Sequence, residues 1–302
     1  MSTYDRAAID LTNERSSWTH VVRAVGRERT VLDLGCWDGL LLHTLRAVAA
    51  CRGVGLERDR DAAARARARG LEVVEGSLDD PAWPDALGGR RFDVVVLADV
   101  LEHTVEPVRV LRAVRERCLA PGGRVVVSVP NMVHGSVRLS VLSGEIERRD
   151  AGLLDRTHLH LWTRRGLLEV VGAAGLAPTE ERVVERPRDP DVVAQVLHRG
   201  GYTDAALARF LVEDPSCRAF QYVWTLAPGV PAPTAEGAPP AARDALRAGD
   251  RVVRRQAQKI RALEERVRVL EQRGPWRFVR YVTLRWRQRR ERRAAEAARR
   301  KP

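Results

Sequence analysis

No run of apolar residues in this chain approaches the roughly 18 to 20 that a membrane-spanning helix needs. The first twenty residues, MSTYDRAAIDLTNERSSWTH, lack the basic start and apolar stretch of a secretory signal. Both absences argue against an integral membrane protein and a secreted one. The four cysteines, Cys36, Cys51, Cys118 and Cys217, form no CxxC pair. A zinc ribbon and a disulfide scaffold are therefore not expected, and a reducing cytoplasm is. Lysine is almost missing: Lys259 and Lys301 are the two lysines among 52 cationic residues. We read that bias as base composition and attach no function to it. What remains, 302 residues with 44% hydrophobic and 30% charged side chains, suits a soluble globular domain with an appendage.

Charge divides the chain. Residues 243–302 carry 21 basic groups against 7 acidic ones, whereas the first 242 residues hold 31 basic and 33 acidic. The formal net charge of +12 thus belongs to the C-terminal segment alone. Four regions are expected: a domain over 1–228, a Pro/Ala-rich linker over 229–242, a coiled coil over 243–273, and a basic aromatic amphipathic tail over 274–302. The coiled coil rests on Leu246, Val253, Ile260 and Val267 spaced seven apart, with Gly249, Gln256, Leu263 and Leu270 as companions. A single amphipathic helix folded back on the domain is the competing reading.

Within the domain, short β-rich runs alternate with helical stretches, the pattern of a mostly parallel sheet covered by helices. Strands are predicted at 31–34, 53–57, 71–75, 92–97, 124–129, 179–185 and 218–226. The first five are nearly continuous in apolar residues, as strands buried on both faces are. Helices are predicted at 14–25, 40–50, 60–69, 107–119, 164–174, 189–199 and 203–212. Residues 130–162 break the rhythm and read as a long functional insertion with one helical turn.

The chemistry begins at Val31-Leu32-Asp33-Leu34-Gly35-Cys36-Trp37-Asp38-Gly39, a buried strand running into a glycine-marked turn that opens a helix. Gly35-x-x-x-Gly39 is not the GxGxxG spacing of dinucleotide sites. Asp33 ahead of the turn would repel a phosphate and attract a cationic or zwitterionic ligand. Helix-start amides are expected to be free for it. Glu57 ends the next strand, where a carboxylate can accept two ribose hydroxyls.

Four blocks, VLDLGCWDG, VGLERD, FDVVVLADVLEH and LAPGGRVVVSVPN, together resemble the class I S-adenosylmethionine-dependent methyltransferases. The stretch SVPNMVHGSVRLSVLSG…GLLDRTHLHLWT further resembles bacterial methyltransferases of sugar and cell-surface polysaccharide pathways. The resemblance implies an α/β, Rossmann-like fold with a mostly parallel seven-stranded sheet, here followed by a C-terminal helical extension. It implies S-adenosylmethionine as cofactor. Asp33, Gly35, Cys36 and Gly39 would hold its methionine part and Glu57 its ribose. Ser77 and Leu78, next to Gly76, would flank the adenine, and Asp99 and Val100 would border the methyl group. Trp37 departs from the family, where many members have glycine; it points outward or shields the cofactor.

A hydroxyl acceptor benefits from a general base, most often histidine. His103 and His134 follow the fourth and fifth predicted strands, at the edge where open α/β sheets bind ligands. In DRTH, Asp155 precedes His158 by three residues and would orient its imidazole or brace the loop. His103 and His158, with Asp155, are the catalytic candidates; His160 ranks below them. Asp155, His158 and His160 match no metal-ligand spacing, and no metal site is assigned.

The expected acceptor is a sugar or glycan precursor of a cell-surface polysaccharide; the alternative is a quinone-like or other lipid small molecule. Homodimerisation through 243–273 is compatible with the heptads. In the tail, Trp276, Phe278, Tyr281 and Trp286 interleave with Arg277, Arg280 and Arg285. That texture suits peripheral contact with anionic lipid at the inner face of the membrane. Nucleic acid, which the arginines alone would allow, is not an expected partner.

Overall fold

The computed structural model describes residues 8–229. The coiled coil and the tail read from the sequence, and the linker beyond Gly229, lie outside the described residues. Seven strands form one sheet in the order β3-β2-β1-β4-β5-β7-β6. They are β1 (Thr30–Leu34), β2 (Arg52–Glu57), β3 (Glu72–Glu75), β4 (Phe92–Ala98), β5 (Leu119–Pro130), β6 (Leu176–Glu185) and β7 (Ala219–Pro228). The strand order reverses between β1 and β4, and the carboxyl ends of strands at such a switch point are where open α/β sheets bind ligands.

The sheet is mixed, which corrects the mostly parallel expectation. β1 through β5 pair in parallel, but β7 runs antiparallel to both β5 and β6. Apolar runs buried on both faces carry no mark of direction, so the reversal cannot be read from AFQYVWTLAP.

Period-two alternation sends neighbours in each run to opposite layers. Leu32, Leu34, Val95, Leu97, Val125 and Val127 pack with α4 (Pro107–Ala113) and α6 (Arg164–Ala173) through Val110, Leu111, Leu167 and Val171. Val31, Val94, Val96 and Val126 pack on the other face with α1 (Ser17–Val25), α2 (Leu40–Ala49) and α3 (Arg60–Ala68). Both faces are thus dry, and functional side chains are left to the strand ends.

The insertion after β5 holds more helix than one turn. His134 caps α5 (Gly135–Leu142), which packs through Leu139 against Val193 of α7 (Pro190–Arg199), Leu211 of α8 (Ala205–Glu213) and Cys217 of α9 (Pro215–Arg218). No described helix is long and apolar enough to cross a membrane.

Candidate functional site

The turn after β1 is built around two buried acids. Asp33 sits inside β1, 3% exposed, and Glu57 ends β2, 6% exposed; in register Leu34 pairs Leu56. Loss of water pushes the Asp33 carboxyl up to about 8, with the charge of Glu57 as the second cause. Each Glu57 oxygen accepts one backbone N–H, from Trp37 at 2.9 Å and Asp59 at 2.8 Å. A carboxylate offers about four lone-pair directions, so both oxygens keep room for a further donor.

Several amides of the turn are used within it. Gly35 and Cys36 N–H both donate to the Leu56 carbonyl, Gly39 N–H to that of Cys36, and Leu40 N–H to the Asp38 carboxylate. The turn folds back on β2 and uses these donors itself. An anion would meet two buried acids here.

Both glycines take left-handed backbone, φ 73° at Gly35 and 76° at Gly39, which side chains resist. A Cβ on Gly39 would strike Leu71 and Ala66, so this glycine lets α2 start hard against α3. A Cβ on Gly35 would come within 2.8 Å of Val100, so the turn touches the segment after β4. The Cys36 side chain packs on Gly55, and burial, reinforced by Asp33 and Glu57, pushes its thiol up. Cys36 therefore contributes backbone to the turn and an inert thiol to the core. Trp37 also has positive φ, 49°, which accounts for glycine being common there. Its half-buried ring lies under the Arg65 guanidinium, 5.4 Å from the centroid.

Gly76 N–H donates to the Glu57 carbonyl, which brings the end of β3 beside the end of β2. Leu78 turns into the core with Leu101. The Ser77 hydroxyl accepts the Asp79 N–H, and Asp79 in turn accepts the Val105 N–H. The three strand ends and the segment after β4 are thereby tied into one rim.

After β4 the chain bends sharply. Asp99 has φ 57°, a left-handed conformation that aspartate tolerates better than most side chains. Its carboxylate accepts the Ser128 hydroxyl at 2.7 Å and the Gln221 amide at 2.9 Å, so β5 and β7 hold it. A 3-10 turn, Leu101–His103, follows. Glu102 within it is 1% exposed, and its Oε2 has no hydrogen-bond partner. Burial raises its carboxyl well above the ordinary value, and Asp99 adds to the rise. Nothing in ADVLEH marks Glu102 as the buried acid; only the fold shows it.

The insertion closes over this turn. Leu159 and His160 N–H donate to the Glu102 carbonyl, and the His160 ring to that of Thr104. Arg148 ties the loop by donating to the carbonyls of Asp155, Arg156 and His158. His103 and His158 meet edge to face, ring centroids 4.9 Å apart. His103 Nδ1 lies 3.2 Å from the Thr157 carbonyl, and His158 Nδ1 lies 3.1 Å from that of Leu153. Carbonyls only accept, so both rings carry hydrogen on Nδ1, and each neutral ring keeps its lone pair on Nε2. Burial, then the neighbouring His103, holds the His158 imidazole below its usual range.

Asp155 accepts both the N–H and the hydroxyl of Thr157, and that hydroxyl lies 3.1 Å from His103 Nδ1. Asp155 thus reaches the His103 imidazole through Thr157, and its negative charge also acts on the His158 imidazole, favouring the protonated form. One donor atom each of Glu102, His103 and His158 lies within 4.8 Å of the others. That grouping replaces the Asp155, His158 and His160 cluster that the sequence brought to mind. His160 is held by Thr104 and stacked on Trp162. His134 is spent as a cap: Nδ1 accepts the Ser136 N–H and Nε2 donates to the Arg186 carbonyl.

A family model described as "Methionine biosynthesis protein MetW" matches residues 15–170. Among curated proteins, the "Ubiquinone biosynthesis O-methyltransferase" of Methylococcus capsulatus is 30% identical over 159 residues, covering 49% of this chain and 66% of that protein. Its namesake from Ruegeria pomeroyi is 31% identical over 172 residues, covering 53% and 66%. The chain spans about two thirds of the length of these relatives. A solved SAM-dependent methyltransferase from Archaeoglobus fulgidus superposes with a TM-score of 0.46 at 13% identity, covering 72% of this chain and 94% of that one.

Proposed function

The chain belongs to the MetW family, and on that footing we propose that it is an S-adenosylmethionine-dependent O-methyltransferase whose acceptor is a quinone-like or other lipid small molecule. The observation that carries this reading is the contact of Gly35 with Val100. It sets the Asp33–Glu57 cradle directly beside the segment that bears Glu102 and His103.

The residues present fit the cofactor. Buried acids in and at the end of adjacent strands favour a ligand with a cationic amino-acid end and a ribose, and their charge disfavours a phosphate. When bound, S-adenosylmethionine supplies a methyl group activated by its sulfonium. Asp33 would hold the amino-acid end and Glu57 the ribose hydroxyls, while the Ser77–Leu78 rim flanks the adenine and Asp99–Val100 borders the methyl group. The acceptor hydroxyl would lose its proton at the Glu102, His103 and His158 cluster, where each imidazole, when neutral, offers its Nε2 lone pair. The insertion, held over the Leu101–His103 turn, would help keep water from the line of transfer.

Two observations favour an apolar acceptor over a sugar. The relatives above carry ubiquinone in their names, whereas the family's description leaves the acceptor open. In the HLHLW segment, Leu159 and Leu161 are more than half exposed beside His158 and His160, an apolar lip unsuited to a glycan. The experiment is incubation of the purified protein with methyl-labelled S-adenosylmethionine and extracts fractionated into quinones, lipid-linked glycans, nucleotide sugars and RNA. Label should enter the quinone and lipid fraction. Label confined to the sugar fractions would restore the glycan reading, and no label in any fraction would remove the enzyme.

A further inference from the structure

We propose that Glu102, His103 and His158 form a binding site for one divalent transition-metal ion. Three features of the cluster converge on it. Its donor atoms lie within 4.8 Å of one another, although residues 102 and 158 are far apart in the chain. Glu102 Oε2 is buried without a hydrogen-bond partner, a costly state for a carboxylate oxygen that a cation relieves. Both rings have Nδ1 engaged by a backbone carbonyl, the second contact that fixes the tautomer and orientation of metal-ligating histidines and leaves Nε2 for the ion.

The donor set selects the ion. Two imidazoles and one carboxylate suit zinc, cobalt or iron, whereas magnesium and calcium favour oxygen throughout. Tetrahedral ligands about 2.1 Å from zinc stand about 3.4 Å apart, so side-chain rotations of an ångström or so close the cluster around an ion. Asp99 and Asp155 add negative charge nearby, which favours a cation further. Three protein ligands leave a coordination position open, as in catalytic rather than structural sites. Resting on the methyl-transfer reading above, that position would take the acceptor oxygen and lower its hydroxyl pKa. The imidazoles would then act through the ion rather than as bases.

The sequence hides this site because its ligands come as an adjacent pair, Glu102-His103, and a third from a distant loop. Spacing rules look for neither.

The test uses the full chain, stripped with chelator and dialysed against Zn(II), with Co(II) as a spectroscopic probe. One equivalent of Zn(II) should bind, and Co(II) should give the intense visible bands of a low-coordinate site. Glu102→Gln, His103→Gln and His158→Gln should each weaken Zn(II) binding on the order of tenfold or more and bleach the Co(II) bands. His43→Ala, on the exposed side of α2, should change neither. A thermal melt of each variant separates ligand loss from unfolding, and the half-exposed His103 is the position least able to disturb the core. Absence of stoichiometric binding, or binding indifferent to all three substitutions in folded protein, overturns the site. Calorimetric S-adenosylmethionine binding is measured alongside. Its loss with Zn(II) binding intact would sink the methyl-transfer reading and still support the ion.

Discussion

Asp33 links the chemistry of a single residue to a measurable pH dependence. Its carboxyl, pushed up to about 8 by burial and then by Glu57, would titrate near 3.9 in an unfolded chain. Between those values the ligand-free folded state holds a proton that the unfolded state has released. Stability from this residue therefore falls as pH rises through the window, the reverse of a salt-bridged aspartate. A cationic ligand favours the ionised form, so binding expels that proton as long as the pH lies below about 8 and above the carboxyl's lowered value in the complex. S-adenosylmethionine affinity should accordingly rise with pH up to about 8 and then level off, with proton release visible by calorimetry in buffers of different ionisation heat. Asp33→Asn should bind more weakly and lose the slope. A flat profile in the unaltered protein would remove Asp33 from the ligand's surroundings. The buried places of Asp33 and Glu57 were legible in the sequence because one acid lies inside an apolar strand and the other ends one. Glu102 was not, because an acid in VLEH reads as an ordinary surface residue until the insertion closes over it.

The insertion is the element on which the candidate chemistry depends. Arg148 holds the carbonyls of Asp155, Arg156 and His158, and Leu159 and His160 N–H grip the Glu102 carbonyl. Arg148→Ala strips a donor from three carbonyls and should loosen the loop by about 1–3 kcal/mol. Turnover should fall severalfold or more while calorimetric S-adenosylmethionine affinity stays within about twofold, since the cradle belongs to β1 and β2. Equal losses in both would mean that the loop and cradle are one unit. The sequence showed that residues 130–162 were special but undercounted their helix. The GSVRLSVL pattern is weakly amphipathic, and α5 owes its two turns to contacts with α7, α8 and α9, which local periodicity does not reveal. The direction of β7 was hidden for a related reason: strand polarity is decided by partners, not by composition.

At the scale of the whole molecule the chain divides by charge, a nearly neutral domain followed by 60 residues with 21 basic groups. The sequence reading of residues 274–302 as a membrane-surface segment fits an acceptor with an apolar body, since such a molecule partitions into lipid. The full chain should sediment with vesicles containing anionic lipid and be released in part as salt rises, while a chain ending at Ala242 should stay in solution and retain cofactor binding. Identical sedimentation of the two would remove the tail from membrane binding. The seven-stranded Rossmann-like core was readable from four short blocks because each strand-end turn carries residues that its geometry requires. The acceptor was not, because the insertion that forms its surroundings is irregular, and its side chains converge only in three dimensions. The central claim meets its most direct test with purified protein, methyl-labelled S-adenosylmethionine and a hydroxylated quinol bearing an apolar tail, with products separated by mass. The account predicts a singly O-methylated quinol, formed by the unaltered chain and lost with Asp33→Asn. Failure to methylate any such quinol, while a nucleotide sugar or lipid-linked glycan in the same assay gains the methyl group, would contradict it.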